Sequence, residues 1–253
     1  MTQLWALKLE YDGTGYIGWQ WQPGGGSIQQ VLEEAASKLA SGAPVSSITA
    51  GRTDTGVHAC GQVVQIKLPD GWHPERVREA LNYHMKPHRV VVIQAAPAPD
   101  GWNARFSATQ RSYRYVILNR RARLGLDLHR AWHVPASLDA ALMHEAAQYL
   151  LGHHDFSSFR AGSCQAKSPM RTLEQLDVHR DGDRVVIETS ARSFLHHQVR
   201  NMVGTLCWFG ERRHEPSHMS TILQAASRAR AGITAPPDGL CLTKVTYDPD
   251  PFE

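Results

Sequence analysis

Cysteine is scarce in this chain: Cys60, Cys164, Cys207 and Cys241 are widely spaced in 253 residues, and no C-x-x-C pair occurs. That spacing offers neither a disulfide framework nor a zinc knuckle, so the four are expected to be buried thiols in a reducing cytoplasm. Long apolar runs are also missing, and none approaches the roughly 20 residues that a bilayer-spanning helix needs. The stretch from Met1 to Glu10 lacks a basic segment followed by an apolar one, so a soluble, cytoplasmic protein without a membrane partner is expected. There is no H-E-x-x-H. The paired histidines His196-His197 diverge by about 100° if helical, and His153-His154-Asp155 reads as a polar loop, so no metal site is expected. Acidic residues nearly vanish between Arg105 and Arg130, where seven arginines (105, 111, 114, 120, 121, 123 and 130) stand against Asp127 alone. Interleaved with Phe106, Tyr113 and Tyr115, they suit a phosphate-rich, base-stacking partner.

With 42% hydrophobic residues the chain can bury a good core, and its pattern reads as two α+β halves divided at 104/105. In the first half, alternation from Trp5 to Tyr11 predicts a strand, and Ser27 caps a helix with Ile28, Val31, Leu32, Ala35 and Leu39 on one face. A short strand at Ser47 to Ala50 precedes a longer one at Gln62 to Leu68, with Val64, Ile66 and Leu68 on one face. A helix from Pro74 to about Met85 and a β-branched strand from Arg89 to Gln94 complete the order βαββαβ. The second half has a strand at Ser112 to Asn119 and a helix at Leu138 to Leu151 with Leu142, Ala146, Tyr149 and Leu150 inward. A hairpin joined at Asp181-Gly182 follows, then a helix carrying Val199, Met202, Val203 and Leu206. A short helix at His218 to Ala229 and a last strand at Leu240 to Tyr247 end the chain. Two ferredoxin-like βαββαβ halves imply mainly antiparallel sheets with helices on one face and a cleft between the halves.

Four stretches carry candidate chemistry. Gly51-Arg52-Thr53-Asp54-Thr55-Gly56-Val57-His58-Ala59 presents one acid between glycines, and Arg52 and Asp54, two residues apart in extended chain, point the same way. Alternation puts Tyr113 and Tyr115 on one strand face and Arg114 on the other, and a tyrosine on a sheet can offer its ring to an unstacked base. In Phe194 to Gly204, His196 and Arg200 stand one helical turn apart, and Arg200 sits in a segment apolar enough to be buried, which calls for an anion beside it, either a phosphate or a carboxylate such as Asp54. Ala235 to Leu242 reads as a proline-stiffened loop into the last strand.

Taken together, the chain resembles the TruA family of bacterial tRNA pseudouridine synthases over nearly its whole length. Gly51 to Ala59 is similar to the family's G-R-T-D-A-G-V-H-A signature, departing at Thr55, where alanine is usual. Tyr11-Asp12-Gly13 with Gly18-Trp19-Gln20, Ala104 to Tyr115, Leu150-Leu151-Gly152 to Phe159, Ser168-Pro169 with Arg171-Thr172, Phe194 to Gly204, and Gly239-Leu240 match in order. The resemblance implies isomerisation of uridine to pseudouridine at tRNA positions 38, 39 and 40, in the anticodon arm, by a homodimer. It makes Asp54 the catalytic aspartate, has Tyr113 stack on the flipped uracil, and has Arg200 hold the active-site acid. Arg52 then fills the gap left by the base or grips its phosphate, Leu240 lines the uracil pocket, and Arg114 and His196 complete the substrate-binding set. Breaking an N-glycosidic bond and joining C5 to C1′ involves no redox change and no net hydrolysis, so no cofactor is expected. One acid is compatible with three routes: attack on the sugar, attack on the base, or removal of a sugar proton to give a glycal. Two other classes are separable by experiment. An RNA-binding module has no use for Asp54, which repels phosphate, and a glycosylase would release free uracil.

Overall fold

Alternating residues from Thr2 to Tyr11 form strand β1 (Thr2–Tyr11), and Trp5, Leu7, Leu9 and Tyr11 on its inward parity are all buried. The computed structural model describes residues 1–253, which pack as two units, residues 1–111 with 241–253, and residues 112–240. The first unit continues with α1 (Ile28–Leu39), β2 (Ser47–Thr49), β3 (His58–Pro69), α2 (Pro74–His84) and β4 (Val90–Pro97), the expected βαββαβ order. Ser27 caps α1 as read from sequence, its hydroxyl accepting the Gln30 amide at 3.1 Å. The stripe Ile28, Val31, Leu32, Ala35, Leu39 is buried, and a fully buried leucine such as Leu32 contributes roughly 2 kcal/mol. Pro74 opens α2, where its missing N–H costs nothing.

β1 lies between β3 and β4 and is antiparallel to both, and β2 adds antiparallel to β3. On the other side of β3 comes β10 (Leu240–Tyr247), parallel, with Cys241 opposite His58 and Leu242 opposite Ala59. The first unit's strand order is therefore β4-β1-β3-β10. Asn82 of α2 grips the edge strand β4, donating to the Val92 carbonyl at 2.9 Å and accepting its amide at 2.7 Å. That satisfies backbone groups an edge strand would leave open. β3 starts four residues earlier than its apolar run suggests and is covered on both faces, since Val63 is as buried as Val64, Ile66 and Leu68.

β5 (Ala108–Leu118) starts in the first unit and runs into the second, which holds β6 (Trp132–His133), α3 (Ala140–Gln148), β7 (Gly152–Asp155), β8 (Met170–Asp181), β9 (Arg184–Ala191), α4 (Gln198–Gly210) and α5 (His218–Gln224). The strand order here is β5-β9-β8-β7, with β6 parallel to β5. Several local readings change, and of the four cysteines expected to be buried only Cys207 is, with Cys164 and Cys241 half-buried and Cys60 exposed. The inward face of α3 is Met143, Ala146, Ala147 and Leu150, while Tyr149 is exposed: apolar residues surround this helix, so its period is ambiguous. His153-His154-Asp155 is not a loop but β7, paired to Met170–Thr172 of β8. The hairpin turn is Gly182-Asp183, with Gly182 at φ +56° in the first central position and Asp181 already paired to Arg184. α5 stops at Gln224, and Ala226 with φ +45° turns the chain out of the helix. Where the sequence divides once at 104/105, the packing carries the first unit to Arg111 and returns the last strand to it, because β10 pairs with β3.

Candidate active site

The loop between β2 and β3 carries Asp54, and backbone groups on both sides of it are engaged. The Ala50 amide donates to Val63 at 2.8 Å. The Ala50 carbonyl accepts from the Arg111 guanidinium at 2.8 and 3.3 Å, and the Gly51 carbonyl accepts from Gln62 at 2.7 Å. The Thr53 carbonyl accepts the Trp19 amide at 3.0 Å, the Gly56 amide donates to Tyr16 at 3.3 Å, and the Val57 amide closes a turn on the Asp54 carbonyl at 3.1 Å. Gly56 has φ +79°, which the third residue of such a turn requires. The hydroxyls of Thr53 and Tyr11 share a 2.8 Å hydrogen bond, and Gln62 also donates to the Tyr11 oxygen at 3.2 Å. Burial pushes the Tyr11 phenol well above its ordinary range, so it serves as a neutral hydrogen-bonding group. Within this frame Asp54 is half-buried and Arg52 is exposed.

This packing accounts for glycines that the sequence shows only as a motif. A methyl group on Gly13 would lie 2.2 Å from the Val57 carbonyl oxygen, and one on Gly18 would lie 2.7 Å from that of Thr53. Tyr11-Asp12-Gly13 and Gly18-Trp19 are thus the bed on which the Asp54 loop rests.

In the second unit Tyr113 on β5 is half-buried, and its ring meets Phe194 edge to face at 5.3 Å. Arg114, on the opposite parity, is exposed and engaged by Glu188 of β9 at 2.9 and 3.1 Å. Tyr115 is core: fully buried, it donates to the Pro236 carbonyl at 2.8 Å, and burial raises its phenol well above the usual range. The Ala235–Leu240 loop is more than punctuation, since Gly239 lies against the Tyr115 ring, where a methyl would come within 2.6 Å, and Leu240 is buried.

Arg200 is half-buried on α4 and donates from Nε to the Ala235 carbonyl at 2.7 Å, while its own carbonyl accepts the Ala235 amide at 3.1 Å. His196 does not sit a helical turn from Arg200, because α4 begins only at Gln198 and His197 precedes it with φ +62°. That left-handed residue folds the chain so that the His196 and His197 rings lie 3.9 Å apart instead of diverging. His196 is exposed, with Nδ1 3.1 Å from the Ser163 hydroxyl.

Sequence reading missed Gln62 and misplaced Arg111. Gln62 shares parity with Val64, Ile66 and Leu68, so a lone amide on a buried face was its available signal. Charge alone sets Arg111 among surface arginines, yet it is 7% exposed and shares parity with Tyr115 and Ile117. A pocket of about 510 Å³ near the start of α3, lined by Ser137, Asp139, Arg180 and Arg212 among others, contains none of the candidate residues.

A family model described as tRNA pseudouridine synthase matches residues 8–107 and 146–248, a span that includes Arg52, Asp54, His196, Arg200 and Leu240 but not Tyr113 or Arg114. The tRNA pseudouridine synthase A of Acidiphilium cryptum is 62% identical over 98% of this chain and 98% of its own. That of Gluconobacter oxydans is 58% identical over 98% and 91%, and that of Paramagnetospirillum magneticum 55% over 96% and 94%. With a family model matched over most of its length and relatives this similar end to end, the chain belongs to the tRNA pseudouridine synthase family.

Proposed function

We propose that this member of the family isomerises uridine to pseudouridine at positions 38, 39 and 40 of the tRNA anticodon arm, as a cytoplasmic homodimer, with Asp54 as the catalytic group. The observation that carries the assignment to Asp54 is the loop itself: Val63, Arg111, Gln62, Trp19 and Tyr16 hold backbone groups at residues 50, 51, 53 and 56, so the loop presents its one carboxylate, half-buried, from a fixed main chain. A preorganised acid is what the reaction asks for. The C1′–N1 bond breaks, the uracil turns, C5 bonds to C1′, the C5 hydrogen leaves as a proton and N1 takes one up, so atoms and electrons balance without a co-reactant. Arg52, Tyr113, Arg114, His196, Arg200 and Leu240 form the proposed substrate-binding set. Tyr113 suits stacking because its ring is half-buried and edge-packed by Phe194, which fixes its plane. Arg114 is engaged by Glu188, so any contact with phosphate is in exchange with that ion pair.

Release of label from C5-tritiated uridine in an anticodon stem-loop tests the reading. Wild type should release tritium without free uracil, and Asp54→Asn should lose at least about 10²–10⁴-fold in rate. Free uracil as a product would make the enzyme a glycosylase, and undiminished release by Asp54→Asn would remove Asp54 from the chemistry.

A further inference from the structure

Arg111 is a buried cation whose nitrogens are directed at main-chain carbonyls. Nε and one terminal nitrogen reach the Ala50 carbonyl at 3.3 and 2.8 Å, and the same terminal nitrogen reaches the Arg105 carbonyl at 2.6 Å. The other terminal nitrogen reaches the Ala108 carbonyl at 3.2 Å. The 104–108 segment is itself anchored, since the Ala104 amide donates to Gln65 and the Ala104 carbonyl accepts from Tyr247, both at 2.7 Å. The guanidinium therefore ties a fixed segment to the residue that opens the Asp54 loop. A planar fork with five donors can serve three carbonyls from two segments, whereas an ammonium, a point charge on a flexible stem, cannot hold that pattern.

We propose that Arg111 is a positioning residue for the reaction. By fixing the Ala50 carbonyl, next to the Gly51 carbonyl that Gln62 holds, it sets the path of the backbone through residues 52 and 53 and hence the place of the Asp54 carboxylate. The inference rests on the reading of Asp54 as the catalytic group. It assigns the buried arginine to geometry, so the orientation of its donors matters and its charge alone does not suffice.

The test is Arg111→Lys, which keeps the charge and loses the fork. Single-turnover tritium release at saturating enzyme should fall by about 30- to 100-fold, the scale of a misplacement near 1 Å, while stem-loop affinity stays within about threefold because the side chain is buried beneath the loop. Amide exchange in residues 50–57 should quicken while the β1–β3 ladder is unchanged. A purely structural role would lower thermal stability and leave the saturated single-turnover rate of folded enzyme at its wild-type value, and that result overturns the proposal. If Arg111→Lys does not fold, exchange in the wild type decides. Slow solvent exchange of the Arg111 Nε–H, which donates to the Ala50 carbonyl, is expected, and exchange at the rate of a free guanidinium would refute the pinning. Asp54→Asn run in parallel separates the two readings: turnover there sinks the role of Asp54, whereas a dead Asp54→Asn beside a fully active Arg111→Lys sinks only the role of Arg111.

Discussion

Gly18→Ala puts the packing beneath the Asp54 loop to a direct test. Gly18 has φ +98°, and a methyl there meets the Thr53 carbonyl oxygen at 2.7 Å and the Asp54 carbonyl carbon at 3.0 Å. The left-handed backbone costs alanine about 1–2 kcal/mol, and overpacking against main chain that cannot rotate away adds about 1–3 kcal/mol. Ordinary contact begins at 3.4 Å, so the Thr53 carbonyl must retreat by about 0.7 Å, the difference from 2.7 Å, and Asp54 is the next residue. A displacement on that scale at a reacting group lowers the rate by tens of fold, up to about 100-fold. Gly15 is the matched control, since it has φ +84° with nothing within 4 Å of an added methyl. Urea unfolding and single-turnover tritium release on both variants separate the effects. Gly15→Ala should lose about 1–2 kcal/mol and keep its turnover. Gly18→Ala should lose about 2–5 kcal/mol and most of its turnover. Identical behaviour of the two, or a destabilised Gly18→Ala with wild-type turnover at saturation, would show that the loop does not bear on Gly18 in the way described.

Tyr115→Phe removes the donor to the Pro236 carbonyl and should cost about 1–3 kcal/mol with an unchanged denaturant slope; a midpoint identical to wild type would contradict it. Asp139, the N-cap of α3, has its carboxyl held below the ordinary value of 3.8, chiefly by its hydrogen bond from Arg212. The stability it contributes is present above that ordinary value and lost as pH falls through the lowered one. Asp139→Asn should therefore flatten the acid limb of the stability curve below about pH 4 by a small amount, because its partner Arg212 is exposed; an equally steep limb would speak against the pairing. Stem-loop affinity should weaken with salt, yet less steeply than a log–log slope of about −6, the value for seven phosphate contacts at about 0.9 each. The reason is that Arg111 is buried and Arg114 and Arg120 are paired with Glu188 and Asp183. A flat response would exclude phosphate contacts, and a slope of −6 or steeper would mean that these pairs open on binding.

The fold was legible where local chemistry and burial agree. Ser27 followed by a five-residue apolar stripe fixes α1 without reference to anything distant, and the β1 alternation does the same. Legibility fails where a partner decides. Gly152-His-His-Asp155 has no apolar period and becomes a strand because β8 offers it a ladder. α3 is apolar almost all round, so only its packing chooses Met143 and Ala147 over Leu142 and Tyr149. The course of β10 was equally hidden, since its sequence shows a strand but not that β3 receives it.

The same division runs through the site. Asp54 stands out in sequence because a lone acid between glycines has no bulk around it to obscure it, whereas its supports are ordinary residues defined by what their side chains reach. Charge alone groups Arg111 with solvated arginines; strand parity sets it with Tyr115 and Ile117, and in a strand parity governs burial. Its charge is then met by carbonyls from Ala50, Arg105 and Ala108. Tyr11 holds Thr53 by its hydroxyl, Gly13 admits the Val57 carbonyl, Gly18 admits that of Thr53, and Arg111 takes that of Ala50. The motifs at residues 11–13, 18–20, 51–59 and 104–111, separate in sequence, are therefore one structural object in the first unit. A change to any of them should be read first as a displacement of Asp54, and only then as a loss of its own contact.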